Sequence, residues 1–400
     1  MPPSSAPIHS ADPGSAPPNP AAYARAKLRL SLISGGLDLL LLILLLVTGA
    51  SLAIRAWVAG AAVLTVLGYV VVVGAGFKLI GLPFGWAGRG IEIRFGLNRQ
   101  GAASWWWDEA KGALVGAVLG IAAAEGLYWL LRDGPQHWWL WAWLVFSLFM
   151  VIMAQLGPVL LLPLFFKLRP MTEGEGKEGE LVRRLHATYD RLRAANPRLP
   201  RLHGIFEWKL GEKSAKANAA LTGLGRTRRV IISDTLLADS PVEEIEAVFI
   251  HELGHHVHRD IWSLLAFQSG LSLLGFWLAQ WALRALSSGL GLRGIADVAG
   301  LPLVVLVFTL LGLALLPVSN GFVRAIERRA DDYAFTTLGT AEPLIAGLQR
   351  LATKNLAEVS PPRWKEWLLY SHPSIATRVR RGRDWQARHG SPTDLQAAPE

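Results

Sequence analysis

Six stretches of the chain consist almost entirely of apolar residues, and polar segments separate them. They are residues 28–52, 57–80, 112–131, 138–162, 261–286 and 300–318. Crossing the hydrocarbon core of a bilayer takes roughly 20 helical residues, and these stretches are close to or above that length. Trp residues gather before the third stretch and at the start of the fourth, as is typical of a membrane interface. The pattern predicts a mainly α-helical multi-pass membrane protein with about six transmembrane helices.

The longest polar segment, residues 167–260, lies between the fourth and fifth apolar stretches. Within it, 180–195 has the spacing of an amphipathic helix, 229–234 that of a short strand, and 214–225 that of a second strand with a turn. We therefore expect a domain with a small β-sheet. The chain divides into a disordered tail at 1–22, a membrane region of four helices at 23–166, a second domain at 167–384 that includes two membrane helices (about 261–286 and 300–318), and a flexible tail at 385–400.

Composition supports the membrane assignment, and the distribution of charge adds an orientation. Charged residues make up only 18% of the chain, whereas a soluble domain carries about 25%. The basic residues behind the net charge of +9 gather before the first span, between 78 and 111, in 167–260 and near the C-terminus. Six spans put all these segments on one side, which the positive-inside rule predicts to be the cytoplasm. Basic residues beside apolar spans indicate contact with a lipid bilayer and no nucleic-acid partner, and the excess of Arg over Lys is typical of a GC-rich bacterial source.

The chain has no cysteine, so any metal must be held by His and carboxylate side chains. Residues 251–255 read His-Glu-Leu-Gly-His, which puts His251 and His255 on one face of a helix, where they can share a metal. Glu252 follows the first of them and can take a proton from a water that zinc has made acidic. The alternative is a surface helix with incidental His residues.

The start of this helix is predicted at residues 240–243. Ser240 is a suitable N-cap, Pro241 suits the first helical position, and Glu243 would complete a capping box with Ser240. The helix then continues through apolar residues into the His-Glu-Leu-Gly-His motif, which ends shortly before an apolar span.

A catalytic zinc site needs a third protein ligand, and the sequence offers two candidates. His258 lies almost one turn after His255, but three ligands on one short helix leave little room for a substrate. Glu327, which follows the last apolar stretch, is the better candidate, and Asp331 shares its helical face. One carboxylate can then bind the metal while the other accepts the N–H of a ligand His. The alternative is a charged helix end beside the membrane.

Several further motifs accompany this set. They are Leu82-Pro83-Phe84, Ile91-Glu92 and Phe95-Gly96-Leu97-Asn98; Lys216-Ala217-Asn218-Ala219, Gly223-Leu224-Gly225 and Arg229-Val230-Ile231; and Ser371-His372-Pro373 followed by Arg378. Together with the His-Glu-Leu-Gly-His motif they resemble the zinc metallopeptidase family that includes the type I CAAX prenyl proteases and the HtpX-type membrane proteases. The similarity covers roughly residues 28–380 and favours the CAAX prenyl protease branch.

The resemblance implies a role for each matching residue at the metal. His251, His255 and Glu327 would hold one Zn²⁺ per chain, Glu252 would be the general base, and Asp331 would orient a ligand His. It also implies the fold, a helical membrane barrel around a water-filled chamber with a cytoplasm-facing, zincin-like protease domain.

The resemblance implies roles for residues beyond the metal as well. Asn218 and Ala219 would lie on an edge strand that pairs with the substrate backbone, and His372 would stabilise the oxyanion with help from Arg378. Two features depart from the family: its eukaryotic members have seven spans where six are predicted here, and Ser374 replaces the second Pro of the Ser-His-Pro-Pro motif.

The function expected from all of this is that of a membrane-embedded zinc metalloendopeptidase in a bacterial cytoplasmic membrane, with its active site facing the cytoplasm. Its substrates would be membrane-associated or lipidated polypeptides. Two alternatives remain: a quality-control protease of broad specificity like HtpX, and a non-catalytic membrane scaffold. The presence of Glu252 beside a full ligand set argues against the scaffold.

Overall fold

A computed structural model describes residues 19–134, 136–197, 199, 202–223 and 228–390. Its helices are α1 (Pro20–Val47), α2 (Ala50–Trp57), α3 (Ala62–Arg94), α4 (Ala102–Asp133), α5 (Trp138–Leu160), α6 (Leu162–Phe165), α7 (Gly176–Ala195), α8 (Asp234–Asp239), α9 (Val242–Val257), α10 (Asp260–Leu286), α11 (Leu301–Leu338), α12 (Glu342–Lys354), α13 (Arg363–Leu369) and α14 (Ile375–His389). Within the described residues, six helical segments are long and apolar enough to cross a membrane, as predicted. They contain α1, α3, α4, α5, α10 and α11.

The outer surfaces of these six helices are strongly apolar. Exposed side chains on them include Leu32, Leu64, Leu114, Leu148, Trp281 and Leu313. Apolar surface on this scale is stable only against lipid or another apolar partner. The chain is therefore a multi-pass membrane protein.

The helices and the predicted apolar stretches differ at several ends: some helices stop short of the stretch, and others extend well beyond it. The first span was predicted at 28–52, but α1 ends at Val47 because Gly49 adopts a left-handed conformation, with φ of 74°, that turns the chain into α2. The second was predicted at 57–80, but α3 begins at Ala62 and continues to Arg94. The last apolar stretch ends at residue 318, whereas α11 continues to Leu338. The same continuous helix therefore crosses the membrane and carries Glu327 and Asp331.

Helices extend into both segments that were predicted to be tails. Helix α1 already begins at Pro20, so the predicted tail at 1–22 is wrong for residues 20–22. Helix α14 continues to His389, so the predicted tail at 385–400 is wrong for residues 385–389. Residues 1–18 and 391–400 lie outside the described residues.

A four-stranded sheet lies beside the metal-binding helix. Its strands are β1 (Leu168–Pro170), β2 (Gly204–Trp208), β3 (Ala219–Thr222) and β4 (Arg229–Ser233), in the order β1-β2-β4-β3. β2 and β4 are parallel, and the other two pairs are antiparallel. Strands β3 and β4 confirm the predictions at 214–225 and 229–234, whereas β1 and β2 were not predicted. Strand β3 lies at one edge of the sheet.

The core of the second domain forms around α9. The side chains of Ile245, Phe249, Ile250 and Leu253 are almost completely buried. They belong to one apolar cluster with residues of α7, β4 and α12. Helix α7 confirms the amphipathic helix predicted at 180–195. A buried helix of this kind gives the residues on its remaining face a fixed position.

Candidate metal centre and active site

The start of α9 differs from the predicted capping box. The N-cap position is occupied by Pro241, and the hydroxyl of Ser240 is buried without a hydrogen-bond partner among the described residues. Ser240 instead ends α8, where its N–H donates to the carbonyl of Leu236 (3.0 Å). The carboxylate of Glu243 accepts from Arg184 at 2.7 Å. The capping-box prediction is therefore wrong, because α8 ends directly before α9 and uses the backbone of Ser240.

A close contact between α9 and α11 brings the metal-binding residues together. A Cβ atom added at Gly254 would lie only 3.2 Å from the Cα of Ala330. Because Gly254 has no side chain and Ala330 has a small one, the two helices approach closely. This packing brings His251 and His255 of α9 next to Glu327 of α11.

His251, His255 and Glu327 form a group that could hold a metal ion. One ligand atom from each lies within 4.8 Å of the others. The Nε2 atom of His251 is 3.5 Å from Oε2 of Glu327, and Nε2 of His255 is 3.5 Å from Oε1 of the same carboxylate. Oε2 of Glu327 is buried and has no hydrogen-bond partner among the described residues. A buried carboxylate oxygen without a partner is costly unless a cation satisfies it.

Each of the two imidazoles is held by a carboxylate on its other nitrogen. Nδ1 of His251 lies 3.0 Å from Oδ1 of Asp331, and Nδ1 of His255 lies 2.9 Å from Oδ2 of Asp260. Such carboxylates fix the tautomer and direct the lone pair of Nε2 toward the metal position. Asp331 was expected to take this position, whereas Asp260 was missed from the sequence.

Arg378 completes the buried charge network. Its guanidinium donates to both oxygens of Asp331, at 2.9 and 2.5 Å, and both side chains are almost completely buried. Burial alone would lower the pKa of His251, but hydrogen bonds to Asp331 and Glu327 outweigh burial and raise that pKa to about 9. The network therefore favours a positive charge at the position between the imidazoles and Glu327.

The other two histidines near the motif have different partners. Nδ1 of His258 lies 2.9 Å from the carbonyl oxygen of Gly254, and His258 is not part of the metal-binding group. Nε2 of His256 lies 3.1 Å from the carbonyl oxygen of Leu221 in β3. Burial and the charge of Arg228 lower the pKa of His256 to about 4, so its neutral ring donates from Nε2 to this carbonyl. His256 thereby ties α9 to the edge strand.

A cavity of about 390 Å³ opens onto the metal-binding group. Its walls include all the other residues singled out from the sequence as catalytic or substrate-binding: Glu252, His372, Asn218, Ala219 and Arg378. Nε2 of His372 is 3.2 Å from Oε1 of Glu327, and Nδ1 is 3.0 Å from the hydroxyl of Ser371. If Ser371 donates to Nδ1, then Nε2 carries the hydrogen and donates it to Oε1 of Glu327.

The donor set suits a divalent metal ion. Two imidazoles and one carboxylate around an open position are the ligands of a catalytic zinc site. The Nε2 atoms face the carboxylate, the Nδ1 atoms are already bonded, and Glu327 has an unsatisfied oxygen. The residues therefore fit a divalent metal with an open coordination position at the end of the cavity.

Comparison with protein families assigns both halves of the chain. A family model described as the CAAX prenyl protease N-terminal region, with five membrane helices, matches residues 19–167. A second model, peptidase family M48, matches residues 180–386.

Individual relatives agree with this assignment. An uncharacterized metalloprotease of Bacillus subtilis, YhfN, is 31% identical over 89% of this chain and 83% of its own length. The CAAX prenyl protease 1 homolog of Caenorhabditis elegans is 25% identical over 75% of this chain and 72% of its own length. The crystal structure of S. mikatae Ste24p has the same fold, with a TM-score of 0.78, 23% identity, and coverage of 90% of this chain and 87% of that one.

Fold, membrane helices and metal-binding group together define a membrane metalloprotease. The chain belongs to peptidase family M48 and has the N-terminal membrane region of the CAAX prenyl proteases. The prediction of the family from sequence motifs is thereby confirmed.

Proposed function

We propose that the protein is a zinc endopeptidase that cleaves membrane-associated or lipidated polypeptides. The observation that carries this proposal is the arrangement of three ligand atoms within 4.8 Å of one another, with both imidazoles oriented by buried carboxylates. An incidental cluster of His residues needs no carboxylate on the far side of each ring. A non-catalytic scaffold would likewise need no such oriented ligand set, so the arrangement also argues against that alternative.

The chain's own residues supply the proton transfers. Zinc, when bound, provides a Lewis acid that polarises water and the scissile carbonyl. Glu252 lines the cavity beside His251 and accepts the proton of the attacking water, and it then returns that proton to the leaving amine. The N–H at Nε2 of His372, which lies 3.2 Å from Oε1 of Glu327, turns from that carboxylate to the developing oxyanion. Asp331, Asp260 and Arg378 keep the imidazoles oriented throughout.

The substrate strand pairs with the edge of the sheet. Among the described residues, strand β3 has a neighbouring strand on one side only, and Ala219 at its start lines the cavity together with Asn218. An extended peptide can add to such an edge through backbone hydrogen bonds. This mode accepts many side chains, so the substrate class is set largely by access to the cavity.

The position of the metal-binding group near the membrane favours substrates that are attached to the membrane. Glu327 lies nine residues after the apolar stretch that ends at residue 318, on the same helix, which places it roughly 14 Å from that end at 1.5 Å per residue. Several relatives are named CAAX prenyl protease 1 homolog, which supports lipidated polypeptides as one substrate group. The N-terminal family match also favours this branch over an HtpX-like quality-control enzyme.

We place the active site on the cytoplasmic side of a bacterial membrane. The basic segments near the protease domain support this orientation through the positive-inside rule. The similarity to a Bacillus subtilis metalloprotease supports a bacterial source.

Metal removal tests the function. Purified protein in detergent should contain one zinc per chain, cleave members of a peptide library, lose cleavage on treatment with a chelator, and regain it with zinc. The variants His255→Ala and Glu327→Ala should both lose zinc. Wild-type zinc content in both variants, or cleavage that persists in the chelated protein, would refute the proposal.

A further inference from the structure

The open edge of β3 is where a substrate strand would pair under the proposed function. On the other side, the N–H of Asn218 donates to the hydroxyl of Ser233 (2.9 Å), and the N–H of Ser233 donates to the carbonyl of Asn218 (2.9 Å). The backbone groups of Asn218 therefore point toward β4. Because successive residues of a strand direct these groups to opposite sides, those of Ala217, Ala219 and Leu221 point to the open edge.

The side chain of Asn355 occupies this edge at Ala217. The N–H of Ala217 donates to Oδ1 of Asn355 (2.9 Å), and Nδ2 of Asn355 donates to the carbonyl of Ala217 (3.0 Å). One side-chain amide thus makes both hydrogen bonds that a residue of a neighbouring strand would make. Ala217 is consequently closed to a substrate strand.

A second side chain occupies the same edge two residues beyond Ala219. The carbonyl of Leu221 accepts from Nε2 of His256 at 3.1 Å. Ala219 therefore lies between Ala217 and Leu221, and both of these have backbone groups that are hydrogen-bonded to side chains. Ala219 and Asn355 both line the cavity that holds Glu252. The open edge of β3 therefore offers a substrate strand one short pairing site at Ala219, bounded by Ala217 on one side and Leu221 on the other.

The backbone around Asn355 holds its side chain in place. Asn355 follows the end of α12, and the next residue, Leu356, has a φ of 48°, in the left-handed region that a Leu rarely adopts. Such a conformation persists where the surroundings fix it. Leu356 is buried against Tyr23 of α1 and Leu97, which follows α3. The membrane region thus sets the position of Asn355.

We propose that Asn355 is a positioning residue that closes the edge of β3 at Ala217 and so sets the register in which a peptide pairs with Ala219. This inference rests on the proposed function, because it concerns how the substrate is bound for cleavage. Without Asn355, Ala217 becomes available, and a peptide can pair two residues further along. A shift of two residues keeps the same side chains on each face, so it meets little steric resistance.

The test compares Asn355→Ala and Asn355→Asp with Thr353→Ala, a control in which an exposed side chain is removed from the end of α12. The probe is the peptide that wild-type protein cleaves fastest in a library. In Asn355→Ala the start of β3 loses the two hydrogen bonds that hold it in place, and a peptide must order it again on binding. We therefore expect kcat/KM to fall about tenfold, mostly through KM, and a second cleavage site to appear two residues from the first. Asn355→Asp keeps the acceptor for the N–H of Ala217 and should be intermediate. Thr353→Ala should match the wild type.

Two further measurements do not depend on turnover. Amide exchange at residues 217–222 should be faster in Asn355→Ala, and peptide affinity should fall when Asn355→Ala is combined with Glu252→Gln. A wild-type protein that cleaves no peptide refutes the proposed function, whereas amide exchange at residues 217–222 still tests whether Asn355 holds the edge of β3. The inference is overturned if Asn355→Ala keeps wild-type peptide affinity and a single cleavage site. It is also overturned if the loss is confined to zinc content and kcat, because that result indicates a general role in folding.

Discussion

Asp331 and Asp260 perform the same task at the metal centre, but their surroundings differ. Each carboxylate holds Nδ1 of one ligand imidazole, at 3.0 Å from His251 and 2.9 Å from His255. Replacing either by Asn removes the charge and allows the wrong tautomer. Loss of such a partner typically weakens metal binding by about 10- to 100-fold, which corresponds to about 1.4–2.7 kcal/mol. We expect this loss in both variants.

Their effects on folding stability should differ. The partner of Asp331 is Arg378, and both side chains are almost completely buried (1% and 7% exposed). Asp331→Asn leaves the buried guanidinium with only the more distant carboxylate of Glu327 (3.9 Å) as a counter-charge, which costs up to about 3–5 kcal/mol. Asp260 pairs with Arg329, whose side chain is 45% exposed. Water can solvate that guanidinium, so the lost ion pair costs about 1 kcal/mol or less.

Two assays on protein purified in the same detergent decide the comparison. Competition with a chelator at fixed pH gives zinc affinity, and unfolding of the metal-depleted protein gives stability. Asp332→Asn is a matched control, because Asp332 follows Asp331 but is 52% exposed and pairs with Arg381 at the surface. Zinc affinity in Asp260→Asn within twofold of wild type would refute its assigned role. Equal destabilisation by Asp331→Asn and Asp260→Asn would refute the argument from burial.

Three further outcomes are expected. Zinc must displace a proton from His251, whose pKa is raised to about 9. Apparent zinc affinity should therefore rise as the pH is raised to about 9 and then level off. A zinc affinity that does not change with pH below about pH 8 contradicts this expectation. His372→Ala should retain zinc and lower kcat by about 10²-fold or more, as for other oxyanion donors, and an unchanged kcat would remove His372 from the mechanism. Because the chain has no cysteine, an impermeant thiol reagent outside the cell should label Ser288→Cys but not Thr172→Cys, and the opposite pattern would reverse the orientation.

The metal-binding residues were accessible from the sequence because local spacing determines their faces. His251 and His255, and likewise Glu327 and Asp331, are four residues apart on their helices. The two helices lie side by side because Gly254 allows close packing. Spacing alone does not predict this contact, and the expectation that both helices share one metal site came from the family resemblance. Their specific roles in catalysis stay predictions.

Other features depend on contacts that no spacing reveals. Asp260 lies beyond the end of α9, and it reaches His255 because Arg259 adopts a left-handed conformation (φ 57°) that turns the chain back. Asn355 bonds to Ala217, which lies 138 residues earlier in the sequence. The left-handed conformation of Leu356 that follows Asn355 could not be predicted from the sequence. The predicted helix start at Ser240 failed for a similar reason, since the preceding helix α8 was not foreseen.

Replacement of Glu252 by Gln is the sharpest test of the proposed zinc endopeptidase mechanism. Gln keeps the shape of the side chain but cannot accept a proton at neutral pH. Glu252 lines the cavity and is not one of the metal-binding residues. We expect Glu252→Gln to retain one zinc per chain and wild-type peptide affinity, while peptide cleavage falls by about 10²- to 10⁴-fold. Cleavage within a few-fold of wild type, in a variant with full zinc content, would contradict the mechanism proposed for this protein.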